Sequence, residues 1–480
     1  MGLRLPVAAT PDAVTTRPWH AAPMGDITTA LGEIVGDEHV LTGEAISEDY
    51  TRDEALTVDG VRPRAVVRPT TTEQVAELVR WAAAEKVPIT ARGSGSGLSG
   101  ACVPHPDGVL ISFELMADIV EIDTANQVAV VQPGVTLAQL DEATAEVGLV
   151  YPVFPGENSA SLGGNVATNA GGMRAVRYGV TRHNVLGLTA VLGTGEVLRT
   201  GGKFVKATSG YDLTQIIIGS EGTLALATEA VLKLHPRLAH GATVLVPFPS
   251  LEEVTAAVPV IVGSGLAPTI LEYIDFVTMG AITASAGLDL GVPEDVKENA
   301  LAYLVVVLEN RVDSRVEEDV AALGDMVTDL GALDLYLLPP SSGAALVEAR
   351  EKAFWTAKAL NADDIVDVVI PRAEIPGYLT RVQEIATETG SFVVGCGHAG
   401  DGNVHLSVFQ TDPDLKTQVM SRILTTGVEL GGAVSGEHGI GVAKKRYLAE
   451  VADPAMVDLW RRIKTAFDPA GILNPGAIFD

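Results

Sequence analysis

From Pro155 to Gly172 the chain reads Pro-Gly-Glu-Asn-Ser-Ala-Ser-Leu-Gly-Gly-Asn-Val-Ala-Thr-Asn-Ala-Gly-Gly, with Arg177-Tyr178-Gly179 shortly after. So long a run of small and amide-bearing residues has little to pack and much to hydrogen-bond, as a stretch lining a polar ligand requires. Two shorter segments share the texture. Arg92-Gly93-Ser94-Gly95-Ser96-Gly97-Leu98-Ser99-Gly100 follows a predicted strand. Bare backbone N–H groups there can approach an anion such as a pyrophosphate. It is not a Walker loop, because no Gly-Lys-Ser/Thr follows, and it opens no helix as a dinucleotide fingerprint would. Taken alone, a flexible turn accounts for it equally well. Ile218-Gly219-Ser220-Glu221-Gly222-Thr223-Leu224 repeats the theme ahead of a strand.

Around these loops the pattern is that of an α+β chain. Ala65 to Pro69 reads as a strand, Thr71 to Lys86 as a capped amphipathic helix and Val87 to Ala91 as a second strand. Further strands are predicted at 108–113, 119–123, 128–132 and 186–192. From about His240 apolar strands (243–246, 303–308, 334–338, 392–394) alternate with Ala-rich helices (251–262, 315–330), which predicts a sheet with helices packed on it. At 480 residues the length predicts two or three domains. We divide the chain into an N-terminal extension (1–60), a loop-bearing domain (61–240), a second domain (241–430) and a C-terminal segment (431–480).

Charge and cysteine usage exclude several classes. With 33 basic against 61 acidic side chains the net charge is −28, which repels nucleic acid and anionic lipid surfaces. An acid-binding site must then carry its own local cations. Two cysteines make no disulfide framework and cannot hold an iron-sulfur cluster, which fits a reducing compartment. The first 23 residues hold no basic stretch ahead of an apolar run, and no apolar run of spanning length appears. The expectation is a cytoplasmic protein, peripheral to a membrane only through a partner.

A second cluster carries chemistry. Phe392 to Phe409 reads as two strands joined by a tight turn at Asp401-Gly402, with His398 and His405 flanking it. One core histidine and one exposed histidine would explain a lone pair. Ser435-Gly436-Glu437-His438-Gly439, with Lys444 and Lys445 following, changes the odds: three of the chain's nine histidines fall in these two motifs. His398, His405 and Glu437 make a two-imidazole, one-carboxylate set acceptable to zinc, manganese or ferrous iron.

The glycine clusters, in this order and spacing, resemble the FAD-binding domain of the vanillyl-alcohol oxidase and p-cresol methylhydroxylase superfamily, nearest to its glycolate oxidase D-subunit and D-lactate dehydrogenase branch. The resemblance runs from about Pro63 to the C-terminus. It implies a two-part FAD-binding domain, an α/β cap domain with an antiparallel sheet, and a C-terminal segment returning to the flavin domain. It also implies FAD contacts from Arg92, Gly93, Ser94, Gly95, Ser96 and Gly97, from Pro155, Gly163, Gly164, Asn165, Thr168, Asn169, Gly171 and Gly172, and from Glu221, Gly222 and Asn474. Ser96 stands where relatives with covalent flavin often carry histidine, so the FAD is expected to be non-covalent.

By the same resemblance, His398, His405 and Glu437 bind a divalent ion. His438 acts as general base with Lys444 in the catalytic set, and Arg350 grips the substrate carboxylate. From sequence alone, an exposed helix ion pair explains Arg350 nearly as well. The implied reaction is oxidation of a D-2-hydroxy acid to the 2-oxo acid, with electrons passed to a quinone, an electron-transfer flavoprotein or an iron-sulfur subunit. A homodimer is compatible with all of this. Ile365, Ser407 and Phe354 stand where a second substrate carboxylate would need polar partners, which favours a short monocarboxylate such as D-lactate or glycolate. The alternatives carried forward are a D-2-hydroxyglutarate dehydrogenase and a non-catalytic flavin-binding subunit.

Overall fold

The computed structural model describes residues 27–479. Three larger sheets and a two-stranded pair, Leu149–Val150 with His235–Pro236, organise them. In the first, the strands run in the order Val40–Leu41, Ala65–Val67, Val109–Ser112, Ile89–Arg92, the last three parallel. Parallel strands covered on both faces read as unbroken apolar runs, and Ala65-Val66-Val67 and Val109-Leu110-Ile111 are wholly buried. The crossover helix Thr72–Glu85 starts where the Thr71 side chain accepts from the Gln74 N–H, and it ends at Lys86 in the left-handed region. Its buried Val75, Leu78, Val79 and Ala82 recur at helical spacing. The helix is thus one residue shorter at each end than predicted, because Thr71 and Lys86 are its caps.

The second sheet is antiparallel, in the order Ile119–Asp123, Val128–Val131, Ala225–Lys233, Val185–Leu192, Val197–Gly201. The Gly/Asn-rich segment sits beside it and contains an element the composition hid, a short helix Leu162–Thr168 capped by Ser161.

The third sheet has seven antiparallel strands, in the order Tyr336–Leu337, His240–Phe248, Ala302–Asn310, Ile270–Asp275, Phe392–His398, Asn403–Phe409, Asp364–Val369. Side chains alternate between its faces. Val244, Val246 and Phe248 join a core with the helices Leu251–Gly263, Asp313–Asp329, Ile375–Thr389 and Pro413–Glu429. On the opposite face Leu245, Ile274 and Tyr303 pack under the helices Phe276–Ala286 and Pro340–Glu351.

The C-terminal residues return to the first sheet. Ile89 donates its N–H to the Ile472 carbonyl (2.8 Å) and accepts from the Asn474 N–H (2.7 Å). Among the described residues no helix is long and apolar enough to cross a membrane.

Candidate active site

The strand Ile89–Arg92 delivers the chain into the first glycine loop, and Ser161 clips that loop to the short helix. Its hydroxyl oxygen accepts from the N–H groups of Ser94 and Gly164, both at 3.3 Å. A Cβ on Gly93 would lie 1.9 Å from that oxygen, and one on Gly163 2.6 Å from Pro133 Cβ, so only glycine permits this approach. Between the loops lies a cavity of about 1290 Å³, its open mouth included. It is lined by Gly93–Gly97, Gly163, Gly164, Asn165 and Thr168, and also by Arg92, Pro155, Glu221 and Gly222. A cavity walled on two sides by glycine loops, whose bare backbone N–H groups can approach phosphate, fits a dinucleotide cofactor.

Glu221 ties this cavity to the second motif. Its two carboxyl oxygens accept from the N–H groups of Ile440 and Gly441, each at 2.7 Å. Burial pushes its carboxyl up to about 7, with the two N–H donors pulling the other way. Glu221→Ala would leave both donors buried without partners, at about 1–3 kcal/mol each before any relaxation. We expect this variant to unfold at lower denaturant by about 2–4 kcal/mol and to release FAD on dilution; wild-type values in urea titration would contradict this role.

The hairpin Phe392–His398/Asn403–Phe409 aligns His398 opposite Asn403. His398 Nε2 and His405 Nε2 lie 3.0 and 3.2 Å from Glu437 Oε1. His398 Nδ1 is held by Glu272 Oε1 at 2.8 Å, which fixes the ring. Asp367, on the neighbouring strand, folds the turn that carries Glu437 and His438. Its Oδ2 accepts from the Ser435 hydroxyl at 2.6 Å and from the N–H groups of Gly436 (3.2 Å), Glu437 (3.2 Å) and His438 (2.8 Å). His438 Nδ1 and Lys444 Nζ stand 3.8 and 3.6 Å from the same oxygen.

The electrostatics follow from burial and neighbours. Burial disfavours the charged form of His398, but Glu272 and Glu437 outweigh it and hold its pKa well above the ordinary value. Burial likewise opposes the ionised form of Asp367, yet His438, Lys444 and His405 hold its carboxyl below the usual range. Burial pushes His438 down to about 4 against the pull of Asp367, leaving its imidazole neutral near pH 7.

Two observations bear on a metal. Glu437 Oε2 and His405 Nε2 are buried with no hydrogen-bond partner. Ligand atoms of Asp367, His405, Glu437 and His438 all lie within 4.8 Å of one another, and His398 reaches the same Glu437 oxygen. Imidazole and carboxylate donors with unsatisfied lone pairs, crowded so closely, fit a divalent cation.

A second cavity opens against this cluster and shares Leu98, Pro155, Glu437 and His438 with the first. Arg350, buried at the end of the helix Pro340–Glu351, lines it. Its Nη2 lies 2.7 Å from Glu272 Oε2, off the angle of a hydrogen bond, and its Nε has no partner. It is not the helix-surface arginine that sequence alone allowed.

Several residues assigned from the resemblance stand behind the cavity walls. Asn474 spends its side-chain N–H groups on the carbonyls of Ala101 (2.8 Å) and Glu221 (2.7 Å) and lines neither cavity. Asn169 caps the short helix in the left-handed region, and its Oδ1 accepts from the Arg182 N–H. Gly171 backs the cluster instead: a Cβ there would lie 2.7 Å from Glu437 Oε2. Gly172 lines the second cavity, not the first. Lys444 lines neither, and acts on the cluster through Asp367. Sequence reading missed Glu272 and Asp367, both fully buried. The usable signal was a lone carboxylate inside an apolar run, Ile270-Leu271-Glu272-Tyr273-Ile274 and Ile365-Val366-Asp367-Val368-Val369, where an unpartnered acid is costly.

The chain belongs to the FAD-linked oxidases: residues 63–201 match the FAD binding domain and residues 237–478 the C-terminal domain of FAD linked oxidases. Within that family it is an oxidoreductase of the branch that holds D-lactate dehydrogenases, the glycolate oxidase subunit GlcD and D-2-hydroxyglutarate dehydrogenases. An uncharacterised FAD-linked oxidoreductase of Mycobacterium tuberculosis is 56% identical over 95% of this chain and 99% of its own. A D-lactate dehydrogenase of Anaerostipes hadrus is 36% identical over 92% and 95%. The solved structure of p-cresol methylhydroxylase with substrate bound shares the fold, with a TM-score of 0.77 at 18% identity over 94% and 96% of the two chains.

Proposed function

We propose that this chain oxidises a D-2-hydroxy monocarboxylic acid to the 2-oxo acid. The observation that carries the reading is the junction of the two cavities at Glu437 and His438: a glycine-walled cleft suited to FAD meets, at the same two side chains, a pocket bearing Arg350 and the histidine cluster. The Arg350 guanidinium, pre-oriented by Glu272, takes the substrate carboxylate. The neutral His438 imidazole accepts the hydroxyl proton, while Asp367 holds the turn that presents it and balances the charge it gains. Glu272 keeps His398 turned toward Glu437.

His398, His405 and Glu437 would hold a divalent ion, zinc, manganese or ferrous iron, whose Lewis acidity favours loss of that proton. FAD, which the Gly93–Gly97 loop and the Gly163, Gly164 and Thr168 wall would hold non-covalently in the first cavity, would supply the two-electron acceptor for the Cα hydrogen. On this reading the hydroxyl proton goes to His438, the Cα hydrogen leaves with its electron pair, and the C–O single bond becomes a double bond. Electrons then pass to a quinone, an electron-transfer flavoprotein or an iron-sulfur subunit. The protein works in the cytoplasm, at a membrane only through such a partner.

The test is anaerobic mixing of the yellow holoprotein with the D and L enantiomers of 2-hydroxy acids. Bleaching of the flavin band by D acids alone is the expected result. An unbleached flavin with every acid would instead leave a non-catalytic flavin subunit.

A further inference from the structure

The second cavity extends past its charged groups along an apolar wall, and with its open mouth included it encloses about 1000 Å³. Arg350, His398, His405, Glu437 and His438 line it together, and beyond them its polar side chains are Glu351, Thr278, Thr356, Cys396 and Ser407. Most of the remaining wall is apolar: Ile282 and Ala281 from one helix, Phe354 and Ala357 from another, Val394 and Leu406 from the hairpin. The wall runs out to an apolar rim, where Val277, Leu360 and Phe392 are 44%, 56% and 52% exposed. Among the described residues lining this cavity, Arg350 is the only lysine or arginine, and the one carboxyl beyond the cluster is Glu351.

Ile365, Ser407 and Phe354 argued from sequence against a second substrate carboxylate, and hence for a short acid. The cavity keeps the first half of that argument and changes the second: no cation stands opposite Arg350, and around Ile365, Ser407 and Phe354 the wall is mostly hydrocarbon bordering open space. Resting on the reaction proposed above, we infer that the substrate carries an apolar side chain several carbons long, its carboxylate at Arg350 and its chain along the Ile282–Phe354–Val394 wall toward the rim. Lactate and glycolate would leave that wall facing water.

The experiment compares D-lactate, D-2-hydroxybutyrate, D-2-hydroxyhexanoate and D-2-hydroxyglutarate as reductants of the holoenzyme. It is paired with calorimetric binding of the unreactive products pyruvate and 2-oxohexanoate. Each methylene brought out of water is expected to raise kcat/KM, and to tighten oxo-acid binding, by about fourfold. D-2-hydroxyglutarate is expected to trail D-2-hydroxyhexanoate. Ala281→Phe, which fills the lumen, is expected to cut the hexanoate-to-lactate ratio at least tenfold while the flavin stays bound. A ratio flat or falling with chain length, in wild type, overturns the inference and leaves the hydroxy-acid reading standing. Flavin unreduced by any of these acids overturns both.

Discussion

His438→Ala is expected to retain its FAD yet reduce it about two to four powers of ten more slowly than wild type, the usual worth of a positioned base. Two features make the effect large. Among the described residues the imidazole is the one titratable nitrogen that touches both cavities, and burial keeps it unprotonated near neutral pH. Its backbone N–H, not its ring, makes the 2.8 Å bond to Asp367, so truncating the side chain leaves the turn folded. Stopped-flow bleaching under anaerobic conditions separates the two outcomes. Unchanged reduction kinetics in a fully flavinated variant would remove His438 from the chemistry.

Glu437→Ala is expected to lose bound divalent metal and with it turnover, by about a thousandfold or more, since a Lewis acid contributes several kcal/mol at a developing alkoxide. Both hairpin imidazoles converge on a single oxygen of this side chain. Its other oxygen is left with no partner in the protein. Removing the carboxylate leaves His398 still paired with Glu272, so the hairpin keeps its geometry while the donor set loses its only member from the Ser435–Gly439 turn. Elemental analysis alongside steady-state turnover reads both quantities. A variant with wild-type metal content, or metal-stripped wild type with full turnover, would contradict the assignment.

The parts of this molecule that sequence revealed are those encoded locally. The glycine loops, the Asp401-Gly402 turn and the Ser-Gly-Glu-His-Gly turn each announce themselves within a dozen residues, because backbone strain and small side chains leave a direct compositional mark. The helix Thr72–Glu85 was legible for the same reason, with its caps and apolar stripe in one window.

What escaped depended on contacts between distant strands. Glu272 meets His398 and Arg350 only because Ile270–Asp275 pairs with Phe392–His398 in the seven-stranded sheet. Asp367 reaches the Glu437 turn because Asp364–Val369 pairs with Asn403–Phe409 at the sheet's edge. No local pattern states either pairing. The short helix Leu162–Thr168 was hidden by its own composition, since glycine and asparagine are poor helix formers and packing overrides that preference. The apolar wall of the second cavity draws on two helices and a hairpin, and of its residues only Phe354 was singled out from sequence.

The most direct measurement compares bleaching of the enzyme-bound flavin by a D-2-hydroxy acid carrying hydrogen or deuterium at Cα, in a single anaerobic turnover. If the Cα hydrogen passes to the flavin where the two cavities meet at Glu437 and His438, the deuterated acid reduces the flavin several-fold more slowly and the oxo acid appears in equal amount. Bleaching at the same rate with both isotopologues, or oxo acid formed with the flavin still oxidised, would contradict the account.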